Sequence, residues 1–307
     1  MHRRGRVAKQ FGLAESNVRV IDLRYLERWN AQRTKPAPRQ MGVDEIYLGK
    51  TTKFVTVVSN LETGEPLWFG RERKKEILDE FFRTQLSRRQ RQRIEAACVD
   101  MWEPFKASIQ AWSPNCAIVY DKFHIMQHAN QAVDEVRRAE FFRKGAWMRG
   151  VVKGKRWLLL TRWVHLTAAK RQQLNHLFAL NRRLMKANLL KESLDRLWSY
   201  TYEGAMLRYL KSWTLQLRWQ RLPAFEKLAH LLIDHLDGIL NYCCVKVRFG
   251  VVEAINGNIK AFLRRGRGYK NLRYLLLKVQ RMAVTKTEFV VSGKPHEMGL
   301  LSNSCSE

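Results

Sequence analysis

The amino-acid sequence predicts an α/β protein, a mixed sheet interrupted by a large all-helical insertion, and three observations carry that prediction. Residues 43–69 hold three short runs with the period of strands. Two further apolar runs, 96–99 and 116–120, are separated by a helical segment and suit strands buried on both faces. Residues 127–247, by contrast, carry helical periodicity rich in Arg, Trp and Leu, with no convincing strand.

Taken in order, residues 1–33 hold two apolar-periodic segments around Gly12. They match the turn and second helix of a partial helix-turn-helix, a pattern that an ordinary helical hairpin fits equally. Residues 34–42, with Pro36 and Pro38, read as a linker. Runs at 43–48, 54–58 and 66–69, with a turn at 60–64, form an antiparallel meander. One helix is expected over 72–93, with Ile77, Leu78, Phe81, Phe82 and Leu86 on its apolar face. The first part of the core thus covers 43–126 and the insertion 127–247, where Phe225, Leu228, Leu232, Leu236 and Ile239 mark one helical stripe. The last part of the core, 248–290, is a helical block from 251 to about 283, broken around Gly266 and Gly268. Residues 291–307 are expected to be a disordered tail.

Composition narrows the partners. With 56 Lys and Arg against 28 Asp and Glu, the formal charge is +28 and the isoelectric point near 10.4. Such an excess favours a polyanion, most simply nucleic acid, over a ribosome-type or membrane-surface role. No apolar stretch is long enough to span a bilayer and no signal core follows the basic N-terminus, so a cytoplasmic protein is expected. Cys98, Cys116, Cys243, Cys244 and Cys305 lack metal-ligand spacing and read as reduced core residues.

Three acids carry the chemistry. Strand alternation sets Asp44 on the face of Ile46 and Leu48, where a bare carboxylate is costly to bury. Asp100 ends the run 96–99, and Glu253 follows Gly250-Val251-Val252 in the first turn of a helix. Three antiparallel strands, a helix, a strand, a helix, a strand, a helical stretch and a closing helix is the order of a ribonuclease-H-like nuclease core. There the acids lie on the first strand, after the fourth and on a late helix. Hard oxygen ligands of this kind favour Mg²⁺ or Mn²⁺, two of which can flank a scissile phosphate.

Several blocks in the same order then resemble one family. Val43-Asp44-Glu45, residues 96–102, Ile118-Val119-Tyr120-Asp121-Lys122-Phe123-His124, residues 250–260 and Arg264-Arg265-Gly266-Arg267-Gly268-Tyr269-Lys270-Asn271 are similar to the DDE transposases of bacterial insertion sequences, within them the ISL-three family. The resemblance spans residues 43–283, most of the chain. It implies a ribonuclease-H-like fold with a helical insertion and cutting and joining of double-stranded DNA at terminal inverted repeats and target sites. It also implies a homo-oligomer on DNA in the bacterial nucleoid. The chain departs from the family in opening partway through the N-terminal reader, with no zinc ribbon, as an N-terminally truncated copy does.

Each assignment has a rival. Glu45 lies on the strand face opposite Asp44 and reads as a salt-bridge residue. Asp121 also ends an apolar strand, but element order favours Asp100 as the second acid. Asp121 and His124 are therefore expected beside the ligands, as DNA-facing or proton-handling groups. Helical spacing puts Asn256 and Lys260 on the face of Glu253, opposite Val252, Ile255 and Ile259. Lys260, Arg264, Arg265, Arg267 and Lys270 are expected to bind phosphates. The tryptophans at 147, 157, 163, 198, 213 and 219 are expected to be mostly core. The competing functions are a truncated or domesticated DNA-binding protein without catalysis and a nuclease of another lineage, such as a junction resolvase.

Overall fold

The computed structural model describes residues 3–33, 37–48, 54–143, 145–265 and 271–292. At the N-terminus, α1 (Arg3–Phe11) and α2 (Glu15–Gln32) are joined through Gly12 at φ +61°, a left-handed turn that glycine enters without strain. The meander follows as β1 (Gln40–Tyr47), β2 (Phe54–Asn60) and β3 (Glu65–Arg71). Between β2 and β3 the Asn60 side chain accepts from the N–H groups of Glu62 at 2.8 Å and Thr63 at 3.2 Å, which closes the turn. The expected linker is corrected here: β1 begins at Gln40, because Gln40, Met41 and Gly42 pair with the fourth strand.

The single helix expected over 72–93 is two, α3 (Lys75–Gln85) and α4 (Arg88–Gln92). Ser87 interrupts them with a reciprocal cap, its hydroxyl accepting from Gln90 N–H while the Gln90 side chain accepts from Ser87 N–H. Then come β4 (Ala96–Val99), α5 (Glu103–Trp112) and β5 (Ala117–Tyr120), completing a five-stranded sheet of order β3-β2-β1-β4-β5. The strands β1 to β3 pair antiparallel, while β4 and β5 continue parallel to β1. Phe81, Phe82, Phe105 and Ile109 of α3 and α5 are buried in the main core with Met41, Val43 and Val58.

The helical region opens with α6 (Lys122–Arg143), which crosses the expected core boundary at 126 without a break. It continues through α7 (Gly145–Val152), α8 (Arg156–Leu160), α9 (Ala168–Leu180), α10 (Arg182–Leu194), α11 (Glu203–Leu217), α12 (Pro223–Asp234) and α13 (Leu236–Cys244), with one-turn helices at Trp163–His165 and Asp195–Ser199. Its end returns to the sheet: α13 lies on β5, and Asn241 donates to the Ile118 carbonyl at 2.8 Å. The approach is so close that a Cβ at Gly238 falls 2.4 Å from the Tyr120 ring.

The opposite sheet face is closed by α14 (Phe249–Arg265) and α15 (Leu272–Ser292), whose Ile255, Ile259, Leu275 and Val279 bury Ile46, Val55 and Val57. Gln280 donates to the Pro66 carbonyl at 2.8 Å and fixes α15 on β3. The N-terminal pair is seated on the same helix, through Leu26 against Tyr274 and Leu277 and through Asp22 to Lys278 at 2.6 Å. Two further corrections concern burial and length. Trp198 and Trp213 are core and Trp163 is half-buried, but Trp147, Trp157 and Trp219 are exposed, on short helices or a turn whose phase no long stripe reveals. Cys244 is exposed rather than core. Helix α15 runs to Ser292, past the expected end near 283 and the expected tail start at 291. The rest of that tail, with Cys305, lies outside the described residues.

Candidate functional site

Strand direction sets the site. Because β1 and β3 both oppose β2, while β4 and β5 follow β1, four strands end on one edge of the sheet. Asp44 and Glu45 lie near the end of β1, Asp100 directly after β4, Asp121 directly after β5, and Arg73 two residues past β3. In the parallel ladders Val43 faces Val99 and Val99 faces Tyr120. One step further along that register brings Asp44, Asp100 and Asp121 side by side. Chain order reverses between β1 and β4, and open α/β sheets bind ligands beyond the C-terminal strand ends at such a switch point.

Asp44 is the centre of the contacts. Asn256 of α14 donates to its Oδ2, and His124 Nε2 stands 3.7 Å from its Oδ1. Helix α14 reaches this point because Val252, one turn earlier, rests against Gly42 of the same strand. Burial raises the Asp44 pKa; His124 and the Glu45 N–H oppose that rise, while Asp121 and Asp100 add to it. Asp121 accepts from Phe123 N–H at 2.9 Å at the start of α6, which places His124 on the first turn. His124 Nδ1 lies 3.4 Å from Asp121 Oδ2, buried and without a hydrogen-bond partner. Burial lowers the His124 pKa, yet Asp121, Asp100 and Asp44 outweigh it and raise it to about 9. At neutral pH this histidine is a cation among carboxylates.

Asp100 is held differently. Its Oδ1 accepts from Met101 N–H at 2.7 Å, and its Oδ2 pairs with Arg73 at 3.0 Å. The same guanidinium reaches Glu45 at 2.8 Å and lies 4.5 Å over the Trp102 ring. Burial raises the Glu45 pKa to about 7 against the pull of Arg73. Glu45 is thus the salt-bridge residue expected of it, and its guanidinium partner is shared with Asp100.

Glu253 stands apart. It is exposed on α14, one turn before Asn256, and makes no ion pair among the described residues. Lys260 and Arg264 are exposed further along α14, whereas Arg267 and Lys270 lie outside the described residues. Of Arg265 only the backbone, the last residue of α14, is described. Arg273 binds Glu27 of α2 at 3.1 Å.

The donor set fits a hard divalent cation in chemistry: three carboxylates end neighbouring strands, and burial already penalises the charge of Asp44. Among the described residues, however, no three acid, histidine or cysteine side chains converge as a preformed cage. Asp44, Asp121, His124 and Asn256 are brought together, Asp100 is tied to Arg73, and Glu253 is one helical turn away. The residue that sequence reasoning missed is Arg73. Its signal was available: in an antiparallel meander the third strand ends on the same edge as the first, so a base just after it faces the acids.

A model of one protein family, described as a transposase, matches residues 41–279. The transposase for insertion sequence element IS1001 of Bordetella parapertussis is 31% identical over 277 residues, covering 89% of this chain and 68% of that protein. The transposase for insertion sequence element IS1557 of Mycobacterium tuberculosis is 25% identical over 264 residues, covering 78% of this chain and 58% of that protein.

Proposed function

Because this chain belongs to the ISL-three (ISL3) family of DDE transposases, we propose that it cuts and joins DNA strands at insertion-sequence ends, through a ribonuclease-H-like core whose Asp44, Asp100 and Glu253 hold Mg²⁺ or Mn²⁺. The observation that carries this reading is the placement of Asp44, Asp100 and Asp121 on neighbouring strands along one sheet edge, with α14 docked across β1. Bound there, divalent ions supply an activated attacking oxygen and charge stabilisation at the leaving oxygen of a phosphodiester.

The chain's own residues do the rest. Asn256 donates to Oδ2 and the Glu45 N–H to Oδ1, so the Asp44 carboxylate is oriented while each oxygen keeps a lone-pair site for a metal. Asp121 positions His124, and the imidazolium, protonated at Nε2, offsets the repulsion among the acids and offers a donor to phosphate. Glu253, exposed on α14 one turn before the buried Asn256, is the third carboxylate of this reading. Lys260, Arg264, Arg265, Arg267 and Lys270 extend a basic track for the DNA backbone, consistent with the charge of +28. The N-terminal helices serve as part of a helix-turn-helix reader, and subunits assemble as a homo-oligomer on the DNA. Among the described residues no helix is long and apolar enough to cross a membrane.

A second reading, DNA binding without catalysis, is favoured by the separation of Glu253 from the other acids. Incubation of the protein with Mg²⁺ and end-labelled DNA carrying the flanking inverted repeats separates the two. Nicks and joined products support the first reading, and retention of DNA without either product supports the second.

A further inference from the structure

Arg73 is presented by a backbone that few side chains adopt. Glu72, the preceding residue, has φ +75°, a left-handed conformation that strains a non-glycine residue. The start of β2 clamps it there: Glu72 N–H donates to the Phe54 carbonyl at 3.0 Å, and Thr56 Oγ1 donates to the Glu72 carbonyl at 2.8 Å. The kink ends β3 and delivers the guanidinium to the carboxylate edge, between Glu45 and Asp100 and over Trp102. Arg73 Nε and Glu45 Oε2 are nevertheless buried without hydrogen-bond partners. Buried polar atoms are usually paired, so orphans beside a strained residue call for an explanation. Here strain and orphaned atoms collect in the site.

We propose that Arg73 is the resident counter-ion of the carboxylate edge, a positioning residue that holds Asp100 until a divalent cation takes it and that must release Asp100 for the metal to load. The inference rests on the metal reading given above. Both oxygens of Asp100 are engaged: Oδ1 accepts from Met101 N–H and Oδ2 from Arg73, so the guanidinium occupies carboxylate lone-pair space that an inner-shell cation would take. Mg²⁺ and Mn²⁺ need such an oxygen in their inner shell. Guanidinium and metal therefore compete for the Asp100 carboxylate.

The test uses the full chain without DNA and reads free Mn²⁺ by electron paramagnetic resonance. Wild type is expected to bind Mn²⁺, more weakly after Asp44→Asn or Asp100→Asn. Arg73→Gln is expected to bind about tenfold more tightly, a coupling of ordinary size between competing ligands. A second readout follows Trp102: Mg²⁺ is expected to change wild-type tryptophan emission as the guanidinium leaves the ring. That change is expected to vanish in Trp102→Phe and in Arg73→Gln. Equal or weaker Mn²⁺ affinity in a folded Arg73→Gln overturns the inference alone. If that variant fails to fold, Arg73→Lys, which keeps the charge and loses the two-pronged bridge, must bind more tightly than wild type, and equal or weaker binding overturns it. Absence of wild-type Mn²⁺ binding, or binding indifferent to Asp44→Asn and Asp100→Asn, overturns the metal reading and the inference with it.

Discussion

Gly42→Ala tests whether α14 is seated on β1, the packing that brings Asn256 to Asp44. A Cβ at this position lies 2.8 Å from Val252 Cγ2, 2.9 Å from Leu61 Cδ2 and 2.9 Å from Ser59 Oγ. Apolar contacts are comfortable at about 3.5–4.0 Å, so each neighbour must give by roughly 0.6–1.2 Å. None gives cheaply. Val252 is β-branched on a helix and has one favoured rotamer, Leu61 is fully buried, and Ser59 already donates to the Gly42 carbonyl at 3.3 Å. Overpacking of this kind costs about 1–3 kcal/mol, and the upper half of that range applies where three neighbours are rigid. The melting temperature should fall by about 5 °C, and Mn²⁺ affinity should fall with it, because a displaced α14 moves Asn256 off Asp44. Differential scanning calorimetry and a Mn²⁺ titration read both effects. Gly257→Ala is the matched control on the same helix: nothing lies within 4 Å of its Cβ, so replacing a helical glycine should stabilise by up to about 1 kcal/mol. Unchanged melting and unchanged Mn²⁺ affinity in Gly42→Ala would refute the seating of α14.

Three further outcomes are expected. Asp100→Ala should abolish Mg²⁺-dependent cleavage while Asp121→Ala, which removes the support of His124, should weaken it; full cleavage by Asp100→Ala with loss in Asp121→Ala reverses the two roles. Neutralising Arg264, Arg265 and Arg267 together should flatten the salt dependence of binding to unrelated duplex DNA by a slope of up to about 3, near 0.9 for each phosphate left without its cation; an unchanged slope places that run away from the DNA. Lys191→Met should destabilise by about 1–3 kcal/mol in chemical denaturation, because the Leu159 carbonyl then loses the buried ammonium that meets it at 2.9 Å. Near-neutral denaturation of Lys191→Met would show that the carbonyl finds another donor.

The parts of the fold legible in the sequence are those carried by local periodicity. The meander follows from spacing two, the segments that became β4 and β5 from unbroken apolar runs, and the helical block after them from spacing three to four, and with them the order of Asp44, Asp100 and Glu253. Direction and tertiary docking were harder to see. Arg73 joins the site only because β3 runs parallel to β1, a relation between strands rather than a pattern within one. The packing of α2 on α15 joins Asp22 to Lys278 across most of the chain, which no local window reports. Asn256 touches Asp44, but from the buried side of α14 that it shares with Val252, Ile255 and Ile259, not from the exposed face of Glu253 and Lys260 that helical spacing predicts. At i+4 from Val252 and i+3 from Glu253 it sits on the border of the two faces. Glu253 lies on the exposed side of the same helix, one turn before the buried Asn256. The break at Ser87 was legible in principle, for Ser87 and Gln90 have capping-box spacing; the longer apolar stripe masked it.

The most direct measurement is Mg²⁺-dependent nicking of end-labelled DNA carrying the flanking inverted repeats, by wild type and by Asp44→Asn, with binding to the same DNA followed in parallel. Wild type should cut only with Mg²⁺ or Mn²⁺, and Asp44→Asn should bind the DNA nearly as well and leave it whole. Cutting that persists in Asp44→Asn, or that needs no divalent cation, would contradict a metal-dependent site centred on Asp44.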